Sequence, residues 1–199
     1  MTQIVIPFRG ENGKRRLDAP DEARAELGLA MLGDVLAAAT VIGRTLVVTD
    51  DKAGRALAAD LGAEPVADVR GGQGASVAAA LGGLDGGTML VVNADLPCVV
   101  PHDLRTLAGA ADLGAIAYVE AEDGTTNALA LPGKEHFAPL YGGGSAARFR
   151  DHADSIGVPA ISCAIPNLSD DVDTLDDLRR ISLRAGPRTQ AAIGRILQP

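Results

Sequence analysis

Three stretches of this chain carry residue types suited to handling phosphate. The first is Val91-Val92-Asn93-Ala94-Asp95-Leu96-Pro97, where an apolar run ends on one carboxylate and a proline then turns the chain. A carboxylate there can hold a hard cation, and magnesium takes one or two protein carboxylates beside phosphate oxygens and water. The competing use of Asp95 is as a turn cap. The second stretch is Asp170-Asp171-Val172-Asp173-Thr174-Leu175-Asp176-Asp177-Leu178, again behind an apolar run. Thr174 with Asp177 reads as a variant capping box for the helix that follows. That leaves Asp173 as the acid best placed to look back into a cleft. The third is Arg9-Gly10-Glu11-Asn12-Gly13-Lys14-Arg15-Arg16-Leu17, whose glycines let backbone N–H groups face a ligand while the cations reach phosphate. It is not a P-loop, because Arg15 stands where that motif needs Ser or Thr.

Two glycine turns add to these. Gly71-Gly72-Gln73-Gly74-Ala75-Ser76 precedes a helix and suits close approach of a nucleotide to the backbone, although Val77 stands where G-x-G-x-x-G needs its last glycine. Tyr141-Gly142-Gly143-Gly144-Ser145-Ala146-Ala147-Arg148 runs three glycines into a helix that begins at Ser145. A helix N-terminus with a hydroxyl and free N–H groups is an anion site, and a plain N-capped loop is the simpler alternative.

These residues must be positioned by the elements around them. Strand-length apolar runs fall at 3–8, 45–49, 64–67, 89–93, 115–119, 127–131 and 160–165. Helical periods fall between them at 21–39, 52–61, 75–84, 101–111, 145–153 and 175–181. Runs such as Leu46-Val47-Val48 and Leu90-Val91-Val92 are apolar on both faces, as in a parallel sheet covered by helices on two sides. The alternation predicts an α/β doubly wound fold, with ligand beyond the carboxyl ends of the strands. Pro101 fits a first helical position, and Asp21 with Glu22 loads the first turn of a long helix with favourable charge. One domain over 1–185 is expected, with 186–199 a C-terminal tail or short helix.

Composition narrows the partners. The chain has 199 residues, a net charge of −8, 3% aromatic residues and no Trp, so its core must be aliphatic. The charge gives no general basic footprint for nucleic acid, and no apolar stretch approaches the roughly 20 residues of a membrane helix. With no basic leader before the first strand, a cytoplasmic protein is expected. Cys98 and Cys163 form no C-x-x-C pair and read as small buried hydrophobes. His102, His136 and His152 lie in none of the motifs above.

Taken in order, the motifs resemble the guanylyltransferases that activate phosphoenolpyruvate or 2-phospho-L-lactate for biosynthesis of the deazaflavin coenzyme F-420. The matching elements are Lys14–Leu17, Gly71–Ser76, Ala94–Pro97, Thr126–Leu129, Gly142–Arg148 and Asp171–Thr174. The sequence departs from that pattern at Arg15, at Gly74-Ala75-Ser76 and at Tyr141–Ser145.

The resemblance implies a Rossmann-like GT-A nucleotidyltransferase fold, a mostly parallel mixed sheet flanked by helices on both faces. It also implies GTP as donor, magnesium as metal and a phosphocarboxylate acceptor, with a downstream transferase as the partner that takes an unstable product. By matched position Asp95 and Asp173 would bind the metal. Lys14 and Arg16 would meet the triphosphate, joined on the nucleotide side by Arg9, Gly10, Gly71, Gly72, Gly74 and Ser76. Thr126, Asn127, Gly142, Ser145 and Arg148 would hold the acceptor. The alternatives are a molybdenum-cofactor or sugar-phosphate nucleotidyltransferase, and a non-catalytic nucleotide-binding module.

Overall fold

The computed structural model of the protein describes residues 2–10 and 17–196. The chain alternates strands and helices in the order β1 (Gln3–Pro7), α1 (Asp21–Ala39), β2 (Arg44–Val48), α2 (Lys52–Asp60), β3 (Glu64–Val66), α3 (Gln73–Gly82), β4 (Met89–Val92), α4 (Pro101–Asp112), β5 (Ile116–Glu120) and β6 (Thr126–Leu131). It continues through a 3-10 turn (Lys134–His136), α5 (Ser145–Ser155), β7 (Ala160–Ser162), α6 (Pro166–Ser169), α7 (Leu175–Ile181) and α8 (Pro187–Ile196).

The strands form one sheet in the order β3-β2-β1-β4-β6-β5-β7. β6 is antiparallel to both of its neighbours, and the other pairings are parallel. The α/β sheet covered on both faces follows the alternation, and its mixed, mostly parallel order is the one that the resemblance implied. Because β6 is reversed, its first residues, not its last, lie beside the carboxyl end of β4. The Asn93 N–H donates to Asn127 O at 3.0 Å and closes that corner.

Side chains leave a strand alternately to opposite faces, and that period divides the core in two. Ile4, Ile6, Val47, Leu90, Val92, Ala117, Val119, Ala128 and Ala130 pack with α1, α2 and α4 on one face. Val5, Leu46, Val48, Met89, Val91, Ile116, Tyr118, Leu129 and Leu131 pack with α3 and α5 on the other. Both faces are covered, which explains why β4 is buried at all four positions.

A third apolar cluster lies outside the sheet. Leu27 and Met31 of α1 meet Cys98, Val172, Leu178, Ile181, Ala185, Ala192 and Ile193. α1 is therefore buried on two sides, by the sheet and by α7 with α8, and shows no polar stripe of the usual kind. The cluster draws the Asp95 loop, the Asp171–Asp173 segment and the last helix into one body.

The strand expected at 160–165 stops at Ser162. Pro166 opens α6 as a first helical residue, and the chain before it must leave the sheet. The residues from 187 form α8 against α1. No helix among the described residues is long and apolar enough to cross a membrane.

Candidate active site

β4 delivers Asp95 to the carboxyl edge of the sheet, and α7 fixes the second acidic segment beside it. The Asp173 and Thr174 N–H groups both donate to the Asp177 carboxylate, at 3.2 and 2.8 Å, and the Thr174 hydroxyl answers the Asp177 N–H. This is the capping box expected from the sequence, and it sets the backbone of Asp173. The Val172 N–H reaches Asp95 O at 3.3 Å and ties the two loops together.

The result is a three-carboxylate cluster. Asp95, Asp171 and Asp173 each offer an oxygen, and these atoms lie within 4.8 Å of one another. Asp171 was not singled out from the sequence. The available signal was the spacing D-V-D: in extended chain, residues two apart share a side, and the residue between them points away. Val172 does so, fully buried in the third apolar cluster.

The neighbouring acids have other partners. Asp170 binds both Arg180 and Arg184. Burial opposes its charge, but the two arginines outweigh burial and hold its carboxyl below the usual range. Asp177 behaves alike: burial opposes the charge, and bonds from Thr174 and Arg180 win. Both are structural anions.

A cleft of about 230 Å³ runs from the end of β1, Pro7–Gly10, to Asn93–Asp95 and Asp173. A second cavity continues from it past Arg9 and Gln73, which line both. Its walls are Gly71–Ala75 on one side and Pro139, Tyr141 and Gly142 on the other. The two glycine turns, assigned to different ligands by the sequence, therefore face a shared space. Gly72 and Gly142 have φ of 88° and 114°, a backbone region that L side chains rarely adopt. A Cβ on Gly74 would come within 2.8 Å of Pro139 Cβ, so that glycine lets the walls approach.

Several expected ligand contacts are turned inward. The Ser76 hydroxyl binds Asp68, Val69 O and Gly72 O, and the residue is buried. Ser145 is fully buried and donates its hydroxyl to Thr126 Oγ1 at 3.0 Å. Arg148 binds Leu140 O at 2.7 Å and Gly143 O at 2.6 Å, stapling the glycine turn. Asn127 is 2% exposed and donates to Asp171 at 3.3 Å and Ser169 O at 3.2 Å, so it orients a member of the acidic cluster. Gly10 packs on Asp51, which caps α2 through the Gly54 N–H at 2.6 Å. Lys14 and Arg16 lie outside the described residues.

Comparison with known proteins agrees with this fold. Residues 2–192 match the family model described as "Guanylyl transferase CofC like". A phosphoenolpyruvate guanylyltransferase of Geodermatophilus obscurus is 36% identical over 189 residues, 92% of this chain and 86% of that protein. One of Streptomyces coelicolor is 38% identical over 210 residues, 98% and 96%. Among solved structures, a nucleotidyl transferase from Methanothermobacter thermautotroptrophicus superposes with a TM-score of 0.68 at 21% identity, covering 91% of this chain and 95% of that one. A CMP:2-keto-3-deoxy-manno-octonic acid synthetase complexed with CTP gives 0.58 at 15%, covering 97% and 99%. The structural matches establish the fold, and the sequence matches go further: this chain belongs to the CofC-like guanylyl transferase family.

Proposed function

We propose that the protein transfers the guanylyl group of GTP to the phosphate of phosphoenolpyruvate, releasing pyrophosphate, with magnesium as its metal. The observation that carries this reading is the Asp95–Asp171–Asp173 cluster, of which Asp95 and Asp173 line the cleft. Its donors are all hard oxygens, with no His or Cys among them, and three carboxylates this close suit one small divalent ion. When bound, magnesium would neutralise charge building on the transferring phosphoryl group.

The chain's own residues have a limited task. A phosphate monoester has a second pKa near 6, so the acceptor oxygen is already ionised at neutral pH. That oxygen attacks the α-phosphorus of GTP. A new P–O bond forms as the α–β bridging bond breaks, and pyrophosphate leaves with the electron pair. No general base is needed, and no histidine lines the cleft among the described residues. Alignment and charge are what remain to be supplied. Arg9 supplies charge from its place in both cavities, and Lys14 and Arg16 are the further cations assigned to the triphosphate. Gly71, Gly72 and Gly74 offer bare backbone to the nucleotide, and Gly142 offers it to the acceptor. Thr126, Ser145 and Arg148 build the acceptor wall by holding its turn.

The test is pyrophosphate release by purified protein with magnesium and GTP. Phosphoenolpyruvate, 2-phospho-L-lactate and a sugar phosphate are compared as acceptors. Turnover with phosphoenolpyruvate is expected. Turnover with only the sugar phosphate would overturn the reading.

A further inference from the structure

The junction of the two cavities is marked by one side chain. Gln73, the first residue of α3, lines both of them and is half-buried. Its Nε2 donates to Asn93 Oδ1 at 3.0 Å, and Asn93 Nδ2 in turn donates to Thr126 O at 3.4 Å.

The direction of these bonds is forced. A backbone carbonyl only accepts, so Asn93 must turn its NH2 to Thr126 and its carbonyl to Gln73. Gln73 must then give its own NH2 to Asn93. The Gln73 Oε1 is what remains, an acceptor of fixed polarity at the junction. The bond to Asn93 uses Nε2, and the half-buried side chain lines both cavities, which leaves Oε1 for a ligand there. A side-chain amide can ordinarily flip to suit either a donor or an acceptor. This one cannot flip without facing two donors or two acceptors against each other along the row.

We infer that Gln73 is a nucleoside-reading residue, whose Oε1 accepts a hydrogen bond from an N–H or O–H donor of the bound nucleotide and rejects analogues lacking that donor. The inference rests on the nucleotidyl-transfer reading above. Position supports the nucleoside over the phosphates, which an uncharged acceptor would repel. Gln73 lines the same cleft as Asp95 and Asp173, two members of the acidic cluster. The cavity beyond it has glycine, alanine, proline and tyrosine walls, with Arg9 as its charged residue. A flat base fits such walls.

The test is a cycle of variant against ligand, read as equilibrium binding so that turnover is not required. Wild-type protein and Gln73→Met are titrated with GTP, ITP, N1-methyl-GTP, 2′-deoxy-GTP and 3′-deoxy-GTP in magnesium. ITP and N1-methyl-GTP remove base donors, and the deoxy analogues remove ribose donors. One neutral hydrogen bond corresponds to roughly threefold to tenfold in Kd. Wild type should lose about that factor on one analogue. Gln73→Met should lose it on GTP and then bind GTP and that analogue equally. Melting checks that the variant is folded, and Gln73→Ala serves the same cycle if it is not. Undiminished discrimination by the variant would overturn the inference, as would an unchanged Kd for GTP. Absence of GTP binding by wild type would instead overturn the functional reading along with it.

Discussion

The Asp34 carboxylate, in the middle of α1, accepts the Thr189 N–H of α8 at 2.8 Å. The same group takes the Arg188 N–H at 3.1 Å. The residue before α8 is Gly186, which has no capping side chain of its own, and Asp34 occupies the space where its Cβ would lie. A helix 155 residues away in sequence thus receives its N-cap from α1. Removing a capping oxygen costs about 0.5–2 kcal/mol, and stranding buried N–H groups adds to it. Asp34→Ala should lower unfolding free energy by about 2 kcal/mol in a denaturant titration, and Asp34→Asn by about half of that. An unchanged midpoint in the alanine variant would mean that α8 is held by its apolar face alone.

If the acidic cluster holds the metal as proposed, Asp171 should matter to its binding as much as Asp95 and Asp173. Asp171→Asn is expected to weaken manganese or magnesium binding and to cut turnover about a hundredfold or more. Asp170→Asn, whose carboxylate belongs to Arg180 and Arg184, should leave metal affinity near wild type. Asn127→Ala should weaken metal affinity about 10–100-fold, as loss of a ligand's orienting partner does. Metal titrations of the three variants rank them, and equal losses at Asp170 and Asp171 would contradict the division between them.

Ser145 and Thr126 form a buried hydroxyl pair. Ser145→Ala should cost about 1–2 kcal/mol of stability through the stranded partner, with GTP affinity unchanged. A large rise in acceptor KM without any stability loss would place the hydroxyl on the acceptor instead.

Gly74→Val should force α3 away from Pro139, because its Cβ starts 2.8 Å from the proline's and further atoms cannot fit. Overpacking of this kind costs about 1–3 kcal/mol. The spread walls should weaken nucleotide and acceptor together, a pattern that separate titrations of each would detect.

Acid should loosen α7 before the sheet. Asp170 and Asp177 have folded pKa values below their ordinary ones, so their contribution is fully present above the unfolded pKa and disappears as pH falls through the folded values. The window therefore begins below about pH 4. Asp170→Asn should flatten the acid limb of a stability–pH curve while leaving the neutral limb parallel to wild type.

Much of the scaffold was legible because it rests on local periodicity. The doubly apolar strands β2 and β4, the first turn of α1 and the Thr174–Asp177 box each follow from neighbours within a few residues. Asp95 and Asp173 were legible for the same reason, one at the end of a buried strand and one beside a cap. For Asp171 the D-V-D spacing was the one available signal, while the engagement of Asp170 was hidden, because it depends on where α7 aims Arg180 and where the following turn places Arg184. Nor could Asp34 be read: inside α1 it looks like one polar residue among alanines, and its partners are far along the chain. Ser76, Ser145 and Arg148 stood beside glycines and so resembled ligand contacts, while the bonds of Ser76 and Arg148 go to loop carbonyls and that of Ser145 goes to Thr126 of β6.

The reversed strand has a consequence for synthesis on the ribosome. β4 is made before β5 and β6, yet β6 sits between it and β5, so one edge of β4 stays bare until the hairpin emerges and inserts. At about 5–20 residues per second, roughly ten seconds separate Asp95 from Asp173. During that interval the nascent chain holds a half-sheet with an apolar, unpaired margin, Met89–Val92, and no completed acidic cluster. Such margins invite pairing with other chains. The growing polypeptide therefore carries its barest edge in the stretch after β4, and its acidic cluster assembles only once Asp173 has left the exit tunnel.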